Sequence, residues 1–273
     1  MTDPLRLFIV GLGRAGTSLG LAAVRAGHDV VGVVGRSKVV ARAALLDAPI
    51  FDWETEIPAC DLIVVAVRDD VIAAASSSLA PLASRAAAAV HLSGLTSVTA
   101  LDPLREVGLD IGGFHPLQTM PNPQEGSIAL AGASIGITAD PPLDGRLNEL
   151  ALSIGARPFA LDDSRRALYH AAAAAASNYV LTALGMAEEI FDAAGVPFVA
   201  ARALVDEVVA NAFELGAAVA LTGPIARGDL ATVAAQISAV ESMNPRLALD
   251  FKALGRATAR LAGADETMKE LLL

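Results

Sequence analysis

The sequence predicts an α/β domain, a mostly parallel, doubly wound sheet, followed by an all-helical region containing one long helix. Three observations carry that expectation. Apolar runs of strand length at residues 5–10, 29–34 and 62–67 alternate with helix-like stretches as far as residue 161. Three glycines, Gly11, Gly13 and Gly16, follow the first run at once. Beyond residue 163 strand-like segments stop, and Ala-rich segments at helical spacing take over.

In order along the chain, a strand at 5–10 leads through the glycines into a helix, and a second strand covers 29–34. A helix at about 38–46 and a loop around 52–59 precede the continuous apolar run 62–67, of the kind buried on both faces. Arg68-Asp69-Asp70 ends that run, with Asp70 placed to cap a helix at 71–79. Another helix and a short strand at 88–92 end at Ser93-Gly94, and the segment 112–119 reads as a loop stiffened by Pro116. A strand follows at 134–138. Leu143, Leu147, Leu150, Ala151 and Ile154 then recur at helical spacing until Gly155, and a last strand covers 157–161. Asp162-Asp163-Ser164 supplies caps for a helix over 165–194, about 30 residues and roughly 45 Å long. Gly195-Val196-Pro197 ends it, and helices at about 200–221, 230–239 and 245–262 complete the chain. The expected domains are 1–162, dinucleotide-binding, and 163–273, all-helical, for substrate and dimerisation.

Strand, Gly11-x-Gly13-x-x-Gly16, helix, strand is the pattern of the dinucleotide-binding Rossmann unit. Its glycines serve the tight turn, the approach of backbone to pyrophosphate, and the packing of helix on strand. In NAD-binding versions an acidic residue at the end of the second strand accepts from the ribose 2′-hydroxyl. Here Gly35-Arg36-Ser37 stands there instead. A carboxylate would repel a 2′-phosphate, whereas a guanidinium beside a hydroxyl suits it. The expected cofactor is NADP, held by Gly11, Gly13, Arg14, Ala15, Gly16, Arg36, Ser37, Arg68 and Ser93.

Composition narrows the partners. The chain has 273 residues, 54% hydrophobic and 18% charged, with a formal net charge of −10. That charge argues against nucleic acid and anionic membrane surfaces as partners. The single Cys60 rules out an internal disulfide and fits a reducing compartment. The strand beginning beside Pro4 and Arg6 leaves no room for a secretory signal, and residues 171–187 are too short and too polar to span a bilayer. A cytoplasmic protein is expected, with no metal site.

Ligands of open α/β sheets lie at the carboxyl ends of the strands, so the segments leaving those ends hold the candidates. Arg68-Asp69 could line the adenine-ribose side, or Asp69 could merely cap a helix. Ser93-Gly94 could approach nicotinamide or substrate, or be a plain turn. His115, between Gly112-Gly113 and Pro116, could donate to a developing oxyanion or carry a proton; alternatively it only fixes the loop. His28, at a helix-to-strand turn on the opposite edge, reads as structural, and His91 as a core group. On the long helix His170, Ala174, Ser177, Asn178 and Leu181 share a face, either a ligand wall or a helix–helix seam. Late in the chain, Arg227 could pair with a substrate carboxylate, while Asp229 reads as a helix cap.

These segments together resemble the Rossmann-like proteins that carry the DUF2520 domain, relatives of 6-phosphogluconate dehydrogenase-like and ketopantoate reductase-like oxidoreductases. The resemblance rests on the glycine motif, Gly35-Arg36-Ser37, His115-Pro116-Leu117-Gln118-Thr119, Tyr169-His170-Ala171-Ala172-Ala173 with Ser177-Asn178, and Thr222 to Asp229. It implies an NADP-linked oxidoreductase whose all-helical C-terminal domain dimerises through its long helix. Hydroxyacid dehydrogenases of that superfamily carry a Lys-x-x-Asn-Asn pattern with Lys as acid or base. Laid on Ser177-Asn178, the pattern puts Ala174 where the Lys belongs, and the chain's three lysines, Lys38, Lys252 and Lys269, lie elsewhere.

The expected activity is hydride transfer to or from a C=O or C=N carbon of a small anionic metabolite. His170 or His115 would handle the proton, Asn178 would orient the substrate, and Ser177, Gln118 and Arg227 would bind it. A 2-oxo acid and a cyclic imine both remain open, the missing Lys disfavouring the first. The alternative is an NADP-binding sensor or scaffold without turnover. Composition and the Ala-rich helix predict a homodimer.

Overall fold

The computed structural model describes residues 3–36 and 38–273; Ser37, expected at the cofactor, lies outside the described residues. The chain divides into two compact units, Met1–Ala174 and Ala175–Leu273.

The first unit holds a seven-stranded sheet of order β2-β1-β3-β4-β5-β6-β7. Its strands are β1 Arg6–Val10, β2 Asp29–Val34, β3 Cys60–Val65, β4 Ala86–His91, β5 Asp110–Leu117, β6 Ser134–Ala139 and β7 Arg157–Ala160. Every pairing is parallel except β5 with β6. Helices α1 Arg14–Arg25, α2 Val39–Leu46, α3 Ile72–Leu79, α4 Asp102–Glu106, α5 Pro123–Ala129 and α6 Leu143–Ser153 connect the strands. Alternation along β1 sends Leu7 and Ile9 into one core, with Leu19 of α1, Leu46 of α2 and Leu147 of α6. Phe8 and Val10 enter the other, with Ile72 and Leu79 of α3 and Leu104 of α4. Both faces are therefore covered, which is why the strands read as unbroken apolar runs. Cys60 belongs to the second core, and burial raises its thiol to about 12, an inert group at neutral pH.

Two sequence expectations need correction. The segment 112–119 is no loop: most of it is strand β5, paired on one side with β4 and on the other with β6. Two glycines and a proline hide it in the sequence. Pro116 is tolerated because β4 pairing stops at Gly113, so its missing N–H breaks no bond on that side. Nor does Asp70 cap α3: the capping position is Val71, which makes no side-chain bond, and the Asp70 carboxylate pairs with Arg68 instead.

The long helical segment is interrupted as well. Helix α7, Arg166–Ala174, runs into a π-helical turn, Ala175–Tyr179, before α8, Val180–Ala193. A π turn adds a residue to the winding, so the stripe expected of an uninterrupted α-helix does not continue at α-helical spacing through Ser177 and Asn178.

The second unit adds α9 Arg202–Leu215, α10 Ala217–Ala220, α11 Leu230–Met243, α12 Pro245–Ala262 and α13 Glu266–Leu271. Its core is small: Val233 and Ile237 from α11, Ala259 from α12, Met268 from α13, and Leu272. Helices α8, α9 and α10 bury no residue at all. Among the described residues no helix is long and apolar enough to cross a membrane.

Candidate active site

The glycine turn lies where the neighbours of β1 diverge, between the ends of β2 and β3. Gly11 has φ +96°, its N–H donates to the Val34 carbonyl at 2.8 Å, and a Cβ on it would fall 2.6 Å from the Ala66 carbonyl oxygen. Only glycine fits both the backbone and the space. Gly16 packs its Cα against the Gly11 carbonyl and the Ala66 side chain, holding α1 against the turn. Gly13 is different: it is exposed, and a Cβ on it would meet only the Ala66 carbonyl oxygen, at 3.9 Å.

The first turn of α1 carries no side-chain cap and no acidic residue, so its N–H groups face outward without a competing acceptor. Arg14 is exposed there and Ala15 half-buried. Arg36 follows β2 and is also exposed. A residue that sequence reasoning missed joins them: Arg42 of α2 donates from Nη1 to the Leu12 carbonyl, tying the second helix to the turn. The residues fit a dinucleotide phosphate: a cleared backbone, free helical donors, and arginines on the rim. Arg68 is less committed to a ligand, since its guanidinium pairs with Asp70 at 2.8 Å on an exposed surface.

At the same edge of the sheet, side chains from β5 and α7 gather over the turn that follows β4. Ser93 is buried; its hydroxyl accepts from the Leu95 and Thr96 N–H groups at 3.1 and 2.9 Å and donates to the Thr96 hydroxyl at 3.0 Å. That hydroxyl is spent on the turn. The turn in turn presents Gly94, whose missing side chain makes room for two imidazoles. A Cβ there would lie 2.7 Å from His115 Nε2 and 2.9 Å from His170 Nδ1. The two rings stand 6.3 Å apart at 73°. His115 Nδ1 meets the Tyr169 hydroxyl at 2.7 Å, while His170 Nδ1 is shielded and has no hydrogen-bond partner among the described residues.

Beneath the imidazoles lies a fully buried Arg166. It donates from Nε to Asp163 at 2.7 Å, from Nη1 to the Ser93 carbonyl at 2.9 Å and from Nη2 to the Thr138 hydroxyl at 2.8 Å. Gly113 is obligatory beside it, because a Cβ would overlap the guanidinium. Asp163 accepts further bonds from the Ser97 hydroxyl at 2.5 Å and the Val98 N–H at 3.0 Å. Burial pushes its carboxyl up, but the bonds from Ser97, Val98 and Arg166 outweigh that and hold it below the usual range.

Charge and burial set the protonation of the cluster. Burial, then His170 and Arg166, lower His115 to about 4 against the pull of Asp69, so the ring is neutral at pH 7. Burial and Arg166 lower His91 to about 4 as well; it is a buried group whose Nδ1 accepts the Ser93 N–H at 3.2 Å. His28 stands apart on the other edge, accepting from the Leu5 N–H at 3.0 Å and meeting Ser153 at 2.7 Å.

The remaining candidates do not join this cluster within the first unit. Gln118 is exposed; its oxygen accepts from the Thr119 N–H at 2.8 Å and its amide donates to the Ala129 carbonyl at 3.3 Å. Ser177 and Asn178 lie in the π turn and Arg227 in the connection before α11, all in the second unit. Asp229 caps α11 through Thr232. Among the described residues no group of three or more metal-ligating side chains comes together. Sequence reasoning missed Tyr169, Arg166 and Asp163 as well as Arg42. The doublet Gly112-Gly113 was a signal for Arg166, since Gly113 is the space it occupies.

Residues 2–116 match the model of a Rossmann-like domain, and residues 133–258 match that of a domain of unknown function, DUF2520. No curated protein matches the chain. Among solved structures it is similar to a candidate NADP oxidoreductase from Bacteroides fragilis, with 22% identity, 94% of this chain and 98% of that chain covered, and a TM-score of 0.80. It is also similar to the Plasmodium falciparum pyrroline carboxylate reductase with NADP bound, at 14% identity, 100% of both chains and a TM-score of 0.61. A Streptomyces aurantiacus imine reductase is similar at 18% identity, over 97% of this chain and 90% of that chain, with a TM-score of 0.59. At such identities the likeness speaks for the fold. The two domain matches lie side by side, the first over residues 2–116 and the second from the start of β6 into the helical region.

Proposed function

We propose that this protein is an NADP(H)-dependent oxidoreductase acting on a C=O or C=N carbon of a small anionic metabolite. The observation that carries the reading is the glycine turn: its uncapped, acid-free helix start at the switch point, with Arg36 where an NAD site has a carboxylate. Gly11, Gly13, Arg14, Ala15, Gly16 and Arg36 would hold the dinucleotide, and when bound it supplies or accepts a hydride. The names of the similar reductases support the same reading.

The chain's own contribution is the proton. Charge that gathers on oxygen or nitrogen as hydride arrives needs a nearby donor. His115 Nε2 and His170 Nδ1 both face the Gly94 turn, which makes them the candidate donors. Asn178, in the second unit, remains the candidate for orienting the substrate, with Ser177 and Arg227 beside it in that assignment. The test is NADPH oxidation against a panel of 2-oxo acids and cyclic imines. A substrate found there should lose about 10²–10⁴-fold in turnover when the true acid is replaced, in His115→Ala or His170→Ala, with cofactor affinity nearly unchanged. Unaltered turnover in both variants and in Asn178→Ala would place the chemistry elsewhere.

One observation favours a second reading, a cofactor-binding protein without turnover: Ala174 stands where the hydroxyacid dehydrogenases carry their Lys. NADPH binding with no oxidation across the panel would support it.

We also propose that two copies associate. Helices α8, α9 and α10 bury nothing, and Val199, Phe213 and Val219 are 77%, 89% and 74% exposed. Apolar side chains in that number call for a partner surface. A monomer at every concentration in analytical ultracentrifugation would overturn this part alone.

A further inference from the structure

We propose that Tyr169 is a positioning residue that fixes the proton of His115 on Nε2, and so commits the Gly94 site to a carbonyl or imine that must accept a hydrogen bond. The inference rests on the reductase reading for its meaning, though not for its test.

The geometry is local to β5 and α7. The Tyr169 hydroxyl lies 2.7 Å from His115 Nδ1, with the rings edge-on at 89° and centroids 5.4 Å apart. Phe159 of β7 also packs against the phenol, at a centroid distance of 5.9 Å, so the tyrosine is held by two rings. Among the described residues its hydroxyl has no other hydrogen-bond partner. A phenol is a far stronger acid than a neutral imidazole N–H, and an imidazole nitrogen is the better acceptor. The proton in this pair therefore sits on oxygen, and Nδ1 accepts it. Burial raises the phenol's pKa further, against the opposing pull of Arg166, so the hydroxyl keeps its proton at neutral pH.

The consequence follows from counting protons on His115. Burial together with the neighbouring His170 and Arg166 keeps the ring neutral, with Asp69 alone opposing. A neutral imidazole has one N–H. With Nδ1 accepting, that N–H is on Nε2, the nitrogen that faces the Gly94 turn. The reverse tautomer would present a bare acceptor there and suit an alcohol or amine instead.

The arrangement also resupplies the proton. With a bound nicotinamide cofactor supplying the hydride to the substrate carbon, the substrate oxygen or nitrogen would take its proton from Nε2. As Nε2 gives up its proton, the phenol proton passes to Nδ1 across the 2.7 Å bond; when Nε2 takes a proton from solvent, Nδ1 returns its own to the phenolate, which restores the starting tautomer. Hydride and proton together reduce C=O to CH–OH, or C=N to CH–NH, and every proton moved is replaced.

The test reads the tautomer directly and needs neither cofactor nor substrate. Long-range proton–nitrogen NMR of protein labelled with ¹⁵N-histidine separates the protonated nitrogen from the acceptor nitrogen of each ring, with His115→Gln assigning the signals. The wild type should show His115 neutral at pH 7 with its proton on Nε2. Tyr169→Phe, which keeps the ring and removes only the hydroxyl, should shift the His115 signals toward the other tautomer or a mixture. A wild-type His115 protonated on Nδ1, or a tautomer unmoved in Tyr169→Phe, would overturn the proposal. Failure of NADPH to bind would instead defeat the reductase reading and leave the tautomer result standing.

Discussion

The glycine turn and the imidazole cluster share one edge of the same sheet but are built in opposite ways. The turn is main chain: contiguous residues 11–16 whose only requirement is that Cβ atoms be missing where Ala66 and the Gly11 carbonyl press in. The cluster is side chain: His115 from β5, Tyr169 and His170 from α7, and a turn after β4, held by one buried guanidinium. A backbone site fails when something is added; a side-chain site fails when something is taken away. Variants that add or remove atoms should therefore separate the two.

The largest effect should come from removing the brace. Arg166→Ala empties a fully buried position and takes one partner each from the Ser93 carbonyl, the half-buried Thr138 hydroxyl and the part-exposed Asp163. Truncating a buried side chain together with its hydrogen bonds costs about 2–5 kcal/mol. Denaturant unfolding should show that loss, whereas a change under about 1 kcal/mol would mean that Arg166 does not brace the cluster.

Adding one methyl to the turn should act on binding first. Gly11→Ala meets both a positive φ and the Ala66 carbonyl, a strained backbone of order 1–3 kcal/mol. Titration should show NADPH affinity falling at least about ten-fold, equivalent to 1.4 kcal/mol, with the imidazole cluster's NMR signals in place. Full affinity in Gly11→Ala would break the contrast between the two sites.

These constructions also decide what could be read in advance. The turn was legible because its cause is local: strand, glycines and helix follow one another, and Arg36 sits at a fixed offset. Doubly covered strands were legible for the same reason, as unbroken apolar runs. Strand β5 was not, because pairing on both sides overrides Gly112, Gly113 and Pro116, which individually argue against a strand. His115 and His170 could be named as candidates, but no spacing in the sequence says that both rest on Gly94. Arg166 read as an ordinary helix residue, since only the fold shows it buried. The π turn at Ala175–Tyr179 likewise leaves no periodic signature in an Ala-rich run.

A smaller effect should appear with pH. His115 and His91 both have folded values near 4, lowered from 6.5 chiefly by burial. The unfolded chain therefore binds more protons than the fold between those values. Their contribution to stability is complete above pH 6.5 and is lost as pH falls toward 4. Unfolding midpoints across that range should decline in the wild type and decline less in His91→Gln. An equal decline in both would show that His91 is not buried as a neutral group.

Calorimetric titration of the wild-type protein with NADPH and with NADH decides whether the backbone-built site takes NADP(H), as proposed above. NADPH is expected to bind at least about ten-fold tighter, a difference of 1.4 kcal/mol or more that Arg36→Asp abolishes. Equal affinity for the two, or no binding of either, would contradict it.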